Sequence, residues 1–199
     1  NGLLHALKKL KLLYQDKLFA HFIITRALLL CSALSAPFYI VLASEQAFDF
    51  SLLATFMALS GLANLVSAPI WGRLSDLSSR RVLVLAAILV TFNGFAVYLV
   101  AYLSPSTLNE FWLLPLCYFL LTVAHQGVRL GRKTYLVDMA EGNKRTDYVS
   151  VSNTVIGVIL LLLGSVGLLN AYLSTAELIL FYSLLGLVGA ISAWFLPET

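Results

Sequence analysis

The chain has 199 residues, of which 60% are hydrophobic and 12% are charged, and its formal net charge is +3. Soluble domains contain about 45 to 50% apolar and about 25% charged residues, so this composition excludes most soluble enzymes and nucleic-acid-binding proteins. A mean hydropathy of +0.89 indicates that lipid surrounds much of the apolar surface. We therefore expect an integral membrane protein whose first partner is the bilayer, with no nucleic-acid partner.

Residues 1–17 precede the first long apolar run and combine apolar with basic side chains. Leu3 and Leu7 recur beside Lys8 and Lys9 at helical spacing, which is typical of a basic amphipathic helix on a membrane surface. A solvated linker is the alternative. The chain starts without Met and without the order of a signal peptide, so we expect it to be a piece of a longer protein.

Six long apolar runs follow and predict six membrane crossings. Each run is close to the 20 or so residues that a helix needs to cross a bilayer, and none shows the alternating segments of an outer-membrane strand. Pro37, Pro69 and Pro115 lie in or near these runs, where a membrane helix is kinked rather than broken. The sequence predicts an all-α membrane protein with spans at residues 18–43, 51–71, 82–103, 111–128, 148–169 and 177–196.

The basic residues divide the connections between spans into two groups. Segments 1–17, 72–81 and 129–147 hold every Lys and Arg except Arg26, and the alternate connections hold none. The positive-inside rule places these three segments and both termini in the cytoplasm. We expect a multi-pass protein of a bacterial inner membrane.

The order of the spans also predicts an internal symmetry. The first triplet of spans begins on the inside of the membrane, and the second triplet begins on the outside. The two triplets can therefore be related only by an inverted axis. Such 3+3 repeats occur in many secondary transporters. The two triplets share no visible residue identity, so this prediction rests on topology.

Segment 72–81, between the second and third spans, carries the strongest local pattern. It resembles the signature loop of the Major Facilitator Superfamily, which joins the second and third helices of a six-helix half and is written Gly-x-x-x-Asp-(Arg/Lys)-x-Gly-(Arg/x)-(Arg/Lys). Leu77 and Ser79 depart from this signature, as in the degenerate copy often found in C-terminal halves. The residues that match are Gly72, Asp76, Arg80 and Arg81.

The resemblance implies that these four residues form a conformational latch between inward-facing and outward-facing states. Gly72 would let two helices approach closely, and Asp76 would accept hydrogen bonds from a neighbouring helix N-terminus. Arg80 or Arg81 would pair with a carboxylate. The alternative is an ordinary anchoring loop made of basic residues and a helix cap.

The resemblance further implies one six-helix half of a transporter of this superfamily. We expect the C-terminal half, because the basic lead-in resembles the segment that joins two halves and the chain ends just after its last span. The missing N-terminal half, or a second copy as a homodimer, would complete a cavity for a small-molecule substrate near the membrane midplane. Alternating access would move the solute, with proton coupling left open and without cofactor or metal.

Polar side chains within spans are costly in lipid and are therefore candidates for the cavity. His21 and Tyr39 lie on one polar face of the first span. Arg26 borders that face, about 12 Å along the helix from the start of the span. We predict that Arg26 binds an anion or lies on a proton path. The alternative is that a tilted helix lets Arg26 reach the lipid headgroups. His125 is predicted to relay protons or to pack between helices, and Asn93 to bond a neighbouring helix or the substrate.

Two other classes of function are weighed against a transporter. A six-helix scaffold or interaction module without a transport cycle is opposed by the buried charge and the polar faces. An intramembrane enzyme would need a nucleophile with a base, or a metal cluster, and the spans show neither. Cys31 and Cys117 lack the spacing of a metal site. Small residues, in contrast, predict close helix packing at Gly157, Gly164, Gly167, Gly186, Gly189 and Ala190.

Overall fold

The computed structural model describes residues 11–46, 50–140 and 144–198, and in these residues it contains helices and no strand. Two short 3₁₀ helices, Pro105–Asn109 and Ser165–Ala171, accompany the α-helices. The α-helices are, in chain order, α1 (Leu12–Gln15), α2 (Lys17–Leu28), α3 (Cys31–Leu34), α4 (Ala36–Gln46), α5 (Phe50–Leu77), α6 (Ser79–Leu103), α7 (Leu113–Met139), α8 (Lys144–Gly164) and α9 (Thr175–Trp194).

Six helical stretches of the described chain are long and apolar enough to cross a membrane, which confirms the predicted fold class. Span 1 combines α2, α3 and α4, and span 5 continues α8 into the second 3₁₀ helix. Spans 2, 3, 4 and 6 correspond to α5, α6, α7 and α9. Their bounds are Lys17–Gln46, Ser51–Leu77, Ser79–Leu103, Leu113–Met139, Arg145–Leu168 and Thr175–Trp194.

Spans 1, 3 and 5 begin, and spans 2, 4 and 6 end, at the same end of the bundle, which we name the basic end. Contacts between side chains and backbone tie these helix ends together. They are Tyr148 to Asp16, Arg80 to the Leu196 carbonyl at 3.1 Å, and Ser75 to Thr134 at 3.0 Å.

At the basic end the helices extend beyond the predicted crossings. Span 2 continues to Leu77 and span 4 to Met139, although the sequence predicts loops over 72–81 and 129–147. The signature segment is therefore two helix ends separated at Ser78 rather than a loop. The reason is that hydropathy predicts where the chain leaves the lipid, whereas a helix continues as far as its backbone hydrogen bonds do.

Only the last part of the predicted amphipathic segment 1–17 lies within the described residues, which start at 11. Leu12 and Leu13 pack against the core, and Tyr14 is 90% exposed. The Asp16 side chain accepts a hydrogen bond from the Phe19 amide at 3.0 Å and so caps the start of span 1.

The helices pack in symmetric sets. Spans 3 and 6 pack extensively against each other, span 4 packs on spans 2 and 3, and span 1 packs on spans 5 and 6. Exchanging span 1 with 4, 2 with 5 and 3 with 6 maps one set onto the other. This is the pattern expected of two triplets related by an inverted axis.

Glycines allow the closest helix crossings, although not everywhere predicted. A Cβ on Gly94 of span 3 would lie 2.0 Å from the Ser183 hydroxyl of span 6, and a Cβ on Gly186 would lie 2.9 Å from the Thr91 hydroxyl. The prediction of close packing at Gly157 and Gly164 is wrong for the described chain, because a Cβ there would meet nothing within 4 Å. Both glycines lie on span 5, most of whose surface no other described helix covers.

Spans 2 and 5 are the least covered helices of the bundle. Of the apolar stretch that qualifies each as a span, 17% of the residues are buried, against 50% in spans 3 and 6. Spans 2 and 5 therefore leave most of their surface to lipid or to another protein surface.

Candidate functional site

A polar cavity of about 310 Å³ lies between spans 1, 2 and 4. Span 4 supplies most of the polar lining, because positions three or four apart share one helix face. The sequence places these residues on a common face, and the structure turns that face toward spans 1 and 2. The polar lining includes Ser32, Asn64, Thr122, His125, Gln126 and Arg129.

His125 joins span 4 to span 1 inside this cavity. Its Nδ1 lies 3.0 Å from the hydroxyl of Ser32, which donates to the Leu29 carbonyl at 2.9 Å. Because the hydroxyl proton is used for that carbonyl, Ser32 accepts from Nδ1–H of His125. Nε2 of the neutral imidazole is then a hydrogen-bond acceptor.

An amide pair joins spans 2 and 4 at the same cavity. The side-chain amide of Gln126 donates to the carbonyl oxygen of Asn64. This bond uses one donor of Gln126 and one acceptor site of Asn64, and each side chain has further hydrogen-bonding capacity. The wall of the cavity thus offers both donors and acceptors.

Arg26 extends from span 1 to span 5. Its guanidinium donates to the Ser152 hydroxyl and, at 3.0 Å, to the Asn153 side-chain carbonyl. Its Nε is buried and has no hydrogen-bond partner. An unsatisfied buried donor costs about 1 to 3 kcal/mol, so this part of the site is incomplete in the isolated chain.

Two further arginines of span 4 lie close enough to act on this region electrostatically. The charge of Arg132 acts on both Arg26 and His125, and that of Arg129 acts on His125 and Arg132. Among the described residues, no carboxylate forms an ion pair with any of the three arginines. The site therefore carries an excess of positive charge.

The other predicted cavity residues lie between helices, away from the cavity. His21 Nε2 is 3.2 Å from the Ser192 hydroxyl of span 6. The buried Asn93 amide donates to the Tyr39 hydroxyl at 3.0 Å and to the Cys117 carbonyl at 2.9 Å. These bonds join span 1 to span 6 and span 3 to spans 1 and 4.

The double arginine of the signature segment binds the chain that follows span 6. Arg80 donates to the Leu196 carbonyl and, at 2.7 Å, to the carboxylate of Glu198, and its guanidinium lies 5.8 Å from the ring centroid of Trp194. Arg81 donates to the same carboxylate at 3.3 Å. The positive charge of Arg80 holds the pKa of Glu198 below its usual range.

Asp76 and Gly72 have no such partners within the part of the chain that the structure describes. Asp76 is exposed, and neither a hydrogen bond nor an ion pair to it is found. The N-terminus of span 3 is capped by Ser78, whose hydroxyl accepts from the Arg81 amide at 3.2 Å. A Cβ on Gly72 would meet nothing within 4 Å. The contacts predicted for Asp76 and Gly72 would therefore need a surface outside the described helices.

A sequence model of the Major Facilitator Superfamily matches residues 22–199, which contain most of span 1 and all of spans 2 to 6. The chain belongs to the Major Facilitator Superfamily. It is thus a multi-pass membrane protein of a transporter family. No curated protein and no solved structure matches the chain.

Several hydrogen-bond partners of the predicted site residues could not be identified from the sequence of this superfamily member. Ser152 bonds Arg26, Ser192 lies within hydrogen-bond distance of His21, and Glu198 bonds the double arginine. The only signal in the sequence is that each is a polar residue in or next to an apolar span. That signal does not indicate which helix each one faces.

The described residues include no group of three or more His, Cys, Asp or Glu side chains that could hold a metal ion. Cys31 and Cys117 are free and buried. The described side chains of the site offer hydrogen bonding and positive charge.

Proposed function

We propose that the chain is the C-terminal half of a secondary transporter that moves a small solute across the membrane by alternating access. The observation that carries this proposal is the polar cavity between spans 1, 2 and 4 in a member of the Major Facilitator Superfamily. Polar groups inside a membrane are costly, so a scaffold of apolar helices would not be expected to keep such a cavity. The degenerate signature, with Leu77 and Ser79 in place of a basic residue and a glycine, supports the C-terminal half.

The partner in this proposal is the N-terminal half, or a second copy of the chain, which covers spans 2 and 5. These two spans expose small and polar residues, among them Asn64, Asn153 and Gly157. Small residues let helices approach closely and amides bond across an interface. Spans 1, 2 and 4 line the cavity in this chain, and the partner would supply the rest of its lining.

The proposed orientation places the basic end in the cytoplasm of a bacterium, with the protein in the inner membrane. The distribution of Lys and Arg supports it, since these residues gather at one end of the bundle. His125 is the group through which a proton could be coupled, because its Nδ1 bonds Ser32 and its Nε2 faces no described partner.

The test is cysteine accessibility at Thr122 in the full-length protein. Thr122 lines the cavity, whereas Leu120, two residues earlier, is exposed on the opposite side of span 4. Thr122→Cys should react with a membrane-impermeant thiol reagent from either side of the membrane, one side at a time as the protein alternates. Leu120→Cys should stay unreactive because lipid surrounds it.

The buried Cys31 and Cys117 set the baseline, measured on the parent protein without an added cysteine. Reaction of Thr122→Cys from one side only, under every condition that changes the conformation, would favour a scaffold. Equal rates for Thr122→Cys and Leu120→Cys would remove the cavity as the basis of the proposal.

A further inference from the structure

We propose that Arg26, Arg129 and Arg132 bind an oxyanion, a carboxylate or a phosphate, of the transported substrate. The inference rests on the proposed function and adds the chemical class of the substrate to it. Three features of the described residues support it: the free donor of Arg26, the missing counter-charge, and the path from the cavity.

The first feature is the guanidinium of Arg26. Two of its nitrogens bond neutral oxygens of Ser152 and Asn153, and Nε is buried without a partner. A guanidinium presents its donors in a planar fork that matches the oxygens of a carboxylate or a phosphate. The neutral partners use two of the five N–H donors of the guanidinium. They therefore fix the position of the fork and leave its charge and the other donors for a ligand.

The second feature is the absence of a counter-charge in the described part of the chain. Asp16 accepts from the Tyr148 hydroxyl and the Phe19 amide, so it is engaged at the start of span 1. Asp138 lies on the same helix as Arg132 but six residues further on, about 9 Å along its axis. A group of cations without an anion is costly inside a membrane, and a bound oxyanion would offset that cost.

The third feature is the connection to the polar cavity. Arg129 is exposed and lines the cavity together with Ser32. Arg26 lies six residues from Ser32, about 9 Å along span 1 toward the basic end, and Arg26 and Arg132 are half-buried. An anion in the cavity therefore lies next to Arg129, and Arg132 follows about one helical turn closer to the basic end.

A lipid headgroup phosphate has the same chemistry as a soluble oxyanion, so the experiment separates the two. The full-length protein is placed in phosphatidylcholine nanodiscs, and its thermal unfolding midpoint is measured with inorganic phosphate, with succinate, and with chloride at matched ionic strength. A second set of nanodiscs contains phosphatidylglycerol and receives chloride alone. A ligand that binds the folded state raises the midpoint.

We expect phosphate or succinate to raise the midpoint in phosphatidylcholine. Arg26→Gln and Arg129→Gln should each weaken the apparent affinity at least tenfold, and Arg26→Lys should weaken it as well because lysine lacks the fork. The matched control is Arg73→Gln, which removes an exposed arginine of span 2 and should leave the affinity unchanged. Arg129→Gln keeps the test valid if Arg26→Gln fails to fold, since no described contact depends on Arg129.

The proposal is overturned if neither anion raises the midpoint of the wild type, or if both glutamine variants keep the full effect. A rise that requires phosphatidylglycerol and is absent with both soluble anions assigns the arginines to a lipid headgroup and overturns the substrate role. Labelling of Thr122→Cys in the same nanodiscs separates the two proposals. Two-sided labelling without anion binding keeps the transporter and rejects an anionic substrate. Anion binding with one-sided labelling keeps an oxyanion site at the arginines but rejects the transport cycle, and with it the substrate role.

Discussion

Gly127 holds spans 2 and 4 together, and the substitution Gly127→Ala tests that packing directly. A Cβ at this position would lie 2.6 Å from Cε2 of Trp71 and 2.9 Å from Cβ of Ala86. Neither neighbour can move easily. The indole of Trp71 is buried, and its Nε1 donates to the Val123 carbonyl at 2.8 Å.

Two opposing effects determine how much Gly127→Ala changes the free energy of unfolding. Replacing glycine by alanine inside a helix stabilises the folded state by about 0.5 to 1 kcal/mol. Inserting a methyl group into a packed site costs about 1 to 3 kcal/mol, and the rigid indole at Gly127 places the cost near the upper end. We expect Gly127→Ala to lower the free energy of unfolding by about 2 kcal/mol. Gly61→Ala, where a Cβ meets nothing within 4 Å, should raise it slightly.

The assay is equilibrium unfolding of the purified protein in lipid, with Gly61→Ala as the matched control. A double variant, Gly127→Ala with Trp71→Phe, should lower the free energy of unfolding by less than the sum of the two single changes. The reason is that the smaller ring makes room for the methyl group. The packing argument fails if Gly127→Ala is as stable as Gly61→Ala, or if the two changes are additive.

Two further predictions concern the signature segment. Asp76→Asn should leave folding intact, since Asp76 is exposed, but should change the ratio of the two labelling directions at Thr122→Cys by about fivefold or more; an unchanged ratio would favour the anchoring loop. Arg80 lowers the pKa of Glu198, so their contact is fully present above the ordinary carboxyl pKa and is lost as pH falls through the lowered value. Hydrogen-exchange protection of the Leu196 amide should therefore decrease as pH falls below the ordinary carboxyl range, and Glu198→Gln should show reduced protection already at neutral pH.

The number and order of the spans could be predicted because each apolar run has the length of a bilayer crossing, and length is a property of one helix alone. The polar face of span 4 could be predicted for a similar reason. His125 and Arg129 share a face through helical periodicity, and both line the cavity that the structure shows.

The partners of the polar residues could not be predicted, because they depend on how each helix is rotated about its axis against its neighbours. His21 and Tyr39 lie on one predicted face of span 1, yet the structure directs His21 to Ser192 and Tyr39 to Asn93. The kinked path through α2, α3 and α4 adds to this, since a break in a helix changes the direction of the face beyond it.

The coverage of the helices, rather than the polar groups without partners, supports a site for the proposed second half. The side chains of Asn93, Tyr39 and His21 bond other spans of this chain. Asp76 is exposed at the basic end, where water can solvate it, and Nε of Arg26 is buried beside span 5, where lipid cannot satisfy it. Spans 2 and 5 are the least covered helices. The proposed second half would therefore dock against spans 2 and 5, because its contacts would there cover the helices that this chain leaves most open.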